Sequence, residues 1–112
     1  MSLQPALHVE KHGRELTFTV TVHNAGSEPA ELRFSDAGLL QVVVTAPDGR
    51  QIYDSRTGRM FATVMKTVTV APGKDATFNE RWTAPPEVRG PLRVKATLRA
   101  NPPLEAAETV EL

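Results

Sequence analysis

In "ELTFTVTVHN", Glu15 to Asn24, every second residue is apolar: Leu16, Phe18, Val20 and Val22 alternate with Thr17, Thr19, Thr21 and His23. A period of two sends the two sets to opposite faces of a strand, and β-branched residues suit a pleated, half-buried surface. The pattern recurs along the chain. "ALHVE" before it folds back through Lys11-His12-Gly13-Arg14 as a hairpin, with Leu7 and Val9 on the inner face. "PAELRF" offers Ala30, Leu32 and Phe34, and "LLQVVVTA" is apolar on nearly both sides, which predicts a more deeply covered strand. "ATVMKTVTV" alternates Val64, Val68 and Val70, "DATFNERW" gives Ala76, Phe78 and Trp82, and "LRVKATLR" gives Leu92, Val94, Ala96 and Leu98. "LEAAETVEL" closes the series with Leu104, Ala106 and Val110.

No segment of useful length carries a helical period. Short strands separated by turn signals such as "APDGRQ" and "APGK" predict an all-β, antiparallel, immunoglobulin-like sandwich of about seven or eight strands. A small antiparallel barrel is the alternative. The chain has no cysteine, so Trp82 and the phenylalanines must build the core without a disulfide. At 112 residues, the expectation is one domain over 1–112. If "ANPPL" is a hairpin loop, Arg99 falls opposite Glu105, Lys95 opposite Thr109 and Arg93 opposite Glu111, which explains the basic stripe by an acidic neighbour.

Function is first narrowed by exclusion. Thirteen Lys and Arg balance thirteen Asp and Glu, whereas nucleic acids and anionic membranes call for a cationic surplus. No apolar run approaches the roughly 20 residues of a membrane span. "MSLQPALHVE" lacks the basic and apolar regions of a signal peptide. Ser2, Ser27, Ser35 and Ser55 stand outside any Gly-x-Ser-x-Gly elbow and read as turn or loop hydroxyls. His8 and His23 fall about six residues apart on paired strands, roughly 20 Å, too far to share an ion. The aspartates sit near turns, where short side chains bond local backbone, and no two are singled out as an acid pair. The expectation is a non-enzyme with no cofactor and no metal.

The stretches "LTFTVTVHNAGSEPAELRFSDAG", "VVVTAPDGRQIYDSRTGRMFATV", "VAPGKDATFNERW" and "LRVKATLRANP" follow one another over residues 14–103. Their order and spacing resemble the bacterial intracellular proteinase inhibitor family, the BsuPI type. The chain departs from that pattern at "AGLLQVVV", "IYDSRTG" and "RGPL", where the family favours aromatic residues. The resemblance implies an immunoglobulin-like sandwich that binds a subtilisin-like serine protease through a surface loop. It also implies a cytoplasmic location, or an extracytoplasmic one if a leader has been removed.

An inhibitor loop is extended and rigid, adding backbone hydrogen bonds to the enzyme. Two segments suit this. The first gives Ser55, Arg56, Thr57, Arg59 and Met60; the second, stiffened by proline, gives Pro85, Pro86, Glu87 and Arg89. Tyr53, Met60 and Phe61 occupy positions where the family is apolar, which favours packing for Met60 and Phe61 and leaves Ser55–Arg59 as the exposed tip. The alternative is a structural or adhesion-type module of a larger extracytoplasmic protein with no protease target.

Overall fold

The computed structural model describes residues 3–112. Among them are nine strands, all in antiparallel pairings, and no helix. They are β1 (Leu3–His12), β2 (Glu15–Asn24), β3 (Ala30–Phe34), β4 (Leu40–Thr45), β5 (Gln51–Asp54), β6 (Lys66–Val70), β7 (Asp75–Thr83), β8 (Pro91–Leu98) and β9 (Leu104–Glu111). One sheet has the order β1-β2-β7, a second β5-β4-β8-β9, and β3 pairs with β6. The β1–β2 hairpin turns at Gly13 (φ +61°), the left-handed conformation that the first central position of a II′ turn demands.

The alternating positions build the core as the sequence predicts. Leu16, Phe18, Val20 and Val22 of β2 meet Val42 and Val44 of β4 and Leu92, Val94, Ala96 and Leu98 of β8 in one buried cluster. Trp82 is only half-buried, because β7 is the edge of its sheet; its ring stacks on Tyr53 with centroids 4.9 Å apart. Gln41, Val43 and Thr45 are half-covered too, since β4 lies between β5 and β8.

Three expectations need correction. In the last hairpin Thr97 faces Glu105, Lys95 faces Ala107 and Arg93 faces Thr109, a register displaced by two residues from the charge-matched one. The cause lies beyond the hairpin. Arg99 N–H donates to the Leu39 carbonyl just before β4, Ala100 bridges Phe34 and Asn101 N–H donates to the Arg33 carbonyl of β3, so residues 99–101 pair away from β9 and the loop lengthens. A shift of two preserves the faces, and Lys95 still meets Glu105 diagonally at 3.0 Å. In the first hairpin His8 faces Thr19, which puts it four residues along from His23 rather than six. Finally, Val64 does not belong to a strand. β6 begins at Lys66, opposite the last residue of β3, so the chain upstream has no partner strand and Val64 is 52% exposed.

Candidate protein-contact loop

The segment between β5 and β6 is held to the body at several points and bare between them. At its base Ser55 is buried, 2% exposed: its N–H donates to the Val42 carbonyl and its Oγ accepts from the Val42 N–H, both at 2.9 Å. Ser55 is therefore an internal anchor, and the expected exposed tip loses its first residue. The turn continues with Thr57 N–H donating to the Asp54 carbonyl. Ser27 and Ser35 are exposed, while Ser2 lies outside the described residues.

Arg56 is half-buried. Its guanidinium donates to Asp36 (Nη2 to Oδ2, 3.1 Å) and to the Gly38 carbonyl (3.0 Å), and lies 4.3 Å over the Phe61 ring. Gly38 makes this nest possible: a Cβ there would stand 2.8 Å from a Phe61 ring carbon. Arg59 reaches across to β7 and donates twice to the Glu80 carboxylate, both at 3.1 Å. Those two bonds hold the Arg59 guanidinium still more firmly protonated. Further along, the Ala62 carbonyl accepts from Ala37 N–H at 3.0 Å.

Between these anchors, no turn or bend interrupts Arg59 to Met65. Met60 is 98% exposed and Met65 78%. Met60, Thr63 and Val64 make no backbone hydrogen bond among the described residues. The expectation that Met60 packs in the core is overturned, because the anchors take its neighbours and turn Met60 outward. Phe61 is half-buried under Arg56, so it does pack, though outside the main core cluster. Thr57 is exposed.

The proline segment is a different object. Pro85, Pro86, Glu87 and Arg89 are exposed, but Ala84 is buried and Val88 half-buried. The Arg14 guanidinium donates to the carbonyls of Ala84, Pro85 and Val88, occupying acceptors that a docking strand would use. Gly90 and Leu112 exchange two backbone bonds behind it. The structure does not bring the two segments together: Glu87 and Arg89 border Gln51 and Ile52 at the start of β5, whereas the first loop leaves β5 after Asp54.

Asp36, Gly38 and Glu80 escape a reading by motif. Glu80 left one signal: in "FNERW" it shares the face of Phe78 and Trp82, a charge at an apolar position of the alternation. Among the described residues no group of three His, Cys, Asp or Glu side chains could hold a metal ion; His23 Nδ1 instead lies 2.6 Å from Asp75.

The Arg56 bond, aided by the Gly38 N–H, holds the Asp36 carboxyl below the ordinary carboxylate value. For a depressed acid, the stabilising contribution is complete above the unfolded pKa of about 3.9 and is lost as pH falls through the lower folded value. The clamp therefore stays closed throughout mildly acid solution. In a carboxyl NMR titration Asp36 is expected to titrate below about 3.9 and to move up toward that value in Arg56→Ala. An Asp36 curve indifferent to Arg56 would contradict the pairing.

The fold and the loop together define a β-sheet scaffold presenting one anchored, partly apolar loop. Residues 3–103 match the BsuPI family, described as intracellular proteinase inhibitor, and the chain belongs to that family. Among curated proteins none matches. Among solved structures, red sea bream transglutaminase is similar at 22% identity and a TM-score of 0.57, covering 100% of this chain and 16% of that one. A penta-heme cytochrome c552 from Thermochromatium tepidum is similar at 10% identity and a TM-score of 0.57, covering 99% and 40%. The sporulation control protein Spo0M of Bacillus subtilis follows at 18% identity and 0.53, covering 100% and 49%. The chain spans less than half the length of each, and at these identities they speak for the fold alone.

Proposed function

We propose that this chain inhibits a serine protease of the subtilisin-like class by laying the Arg59–Met65 run into the enzyme's cleft, with no reaction of its own. The observation carrying this reading is the combination of anchors and bareness: Arg56, Arg59 and Phe61 are tied down while Met60 stands 98% exposed. A segment ordered before binding loses little entropy on docking, and its unpaired backbone groups can extend an enzyme's strand. Family membership supplies the protease as partner. The proline segment is the weaker contact, since Arg14 already engages its carbonyls.

Titration of subtilisin with the purified domain is the test. Activity should fall with a stoichiometric endpoint at protein concentrations of about 10 μM or below, as a standard-sized interface permits. Replacing residues 59–65 with a Gly-Ser linker should abolish the effect, and a combined Pro85→Ala, Glu87→Ala, Arg89→Ala variant should keep it. Unchanged protease activity with the intact domain counts against the reading. Inhibition surviving the linker but lost on changing the proline segment would move the contact there.

A further inference from the structure

Inhibition by a loop leaves open which side chain enters the enzyme's primary specificity pocket. We infer that it is Met60, and that the partner is a serine protease whose pocket is deep and uncharged. This rests on the inhibitory reading above.

Between Arg56 and Phe61, where the anchors lie, each other large side chain is already committed. Arg56 is held by Asp36, the Gly38 carbonyl and the Phe61 ring. Arg59 would have to release both bonds to Glu80 before entering an acidic pocket. Phe61 is half-buried beneath Arg56. Met60 lies between two pinned neighbours, Arg59 held to Glu80 of β7 and Phe61 packed against Gly38, and it touches almost nothing. The pins fix the backbone on both sides of a side chain that contributes no burial to the fold. Its apolar surface is thus wholly available to a partner.

The chemistry of methionine selects the pocket. Serine proteases discriminate by a pocket that is acidic for a cationic side chain or an apolar slot for a hydrophobic one. An unbranched thioether with three rotatable bonds reaches into a deep apolar slot and adapts to its walls, and it offers nothing to a buried carboxylate. Val64 and Met65 extend the apolar character along the same unturned run.

Inhibition constants of the wild type, Met60→Leu, Met60→Glu and Met60→Lys against subtilisin and against trypsin test the assignment. Met60→Leu should stay within about 3-fold of wild type toward subtilisin, because an apolar side chain of similar volume replaces it. Met60→Glu should weaken inhibition at least about 100-fold, as burial of an unpaired charge at a hot spot requires. Met60→Lys should lose subtilisin and gain trypsin. Thermal melts should be unchanged in all three, since the position is exposed and bonded to nothing. A wild type that inhibits together with an unimpaired Met60→Glu overturns the assignment while leaving the inhibitory loop in place. A wild type that inhibits neither enzyme overturns both.

Discussion

Asn24→Asp will cost the domain about 3–5 kcal/mol, enough to lower Tm by more than about 12 °C. Asn24 is completely buried, and its amide ties three segments that share no ladder. Nδ2 donates to the carbonyls of Glu28 and Val70, each at 2.8 Å, and Oδ1 accepts from Gly26 N–H at 2.9 Å. The backbone adds a bond to the Lys74 carbonyl and accepts one from Gly73, so one residue joins the end of β2, the 24–28 turn, the end of β6 and the β6–β7 turn. A carboxylate keeps the shape and the Gly26 bond but sets negative oxygen against two carbonyls in a site without solvent. Removing a partner from buried polar groups costs the desolvation of each, and burying the charge adds to it. The sign with pH follows. Burial raises the folded pKa of the introduced acid above its unfolded value, so the deficit should shrink as pH falls toward that raised value. Urea melts of wild type and variant at neutral and acid pH check both parts. A variant as stable as wild type at neutral pH would show that the amide is not the pin.

The same residue shows what the sequence made legible and what it did not. The strand preceding Asn24 could be read directly, because alternation fixes the face of Leu16, Phe18, Val20 and Val22 whatever the partner. The amide's role could not, because its partner Val70 is brought near only by the return of β6. Register failed for a related reason. Charge matching placed Arg99 opposite Glu105, but unlike charges on exposed strands contribute at most about 1 kcal/mol. The backbone bonds of Arg99 to Leu39 beside β4 and of Asn101 to Arg33 in β3 outweigh that. In the loop, composition picked out Arg56, Arg59 and Met60 but reversed the burial of Ser55 and Met60. Ser55 is polar yet buried because β4 supplies both its bonds; Met60 is apolar yet exposed because Asp36, Gly38 and Glu80, distant in sequence, hold the residues around it. Parity along a strand is a local property, whereas anchorage of a loop is decided by whatever the fold brings beside it.

Gly38 is where that anchorage can be undone without touching the loop itself. Its backbone is not left-handed, so alanine is conformationally acceptable, and the stiffer unfolded chain would by itself favour the variant by about 0.4–1 kcal/mol. The added Cβ, however, would lie 2.8 and 2.9 Å from two carbons of the Phe61 ring and closer still to the Arg56 guanidinium. Overpacking of this kind costs about 1–3 kcal/mol unless the neighbours move, and here they can, because Phe61 and Arg56 lie on the surface side of the fold. Gly38→Ala should therefore leave global stability within about 2 kcal/mol of wild type while displacing the ring and guanidinium that pin the loop. Affinity then falls by the ordering those side chains no longer provide, about 0.5–1.5 kcal/mol for each, or roughly 5–150-fold for both together. Two readouts separate this from simple unfolding. A non-target protease should nick the chain within 59–65 faster than in wild type, and amide exchange at Ala37, whose N–H bonds the Ala62 carbonyl, should quicken while β2 and β8 remain protected. If nicking, exchange and inhibition all match wild type, the glycine is not what seats the loop, and preorganisation must come from Arg59 and Glu80 alone.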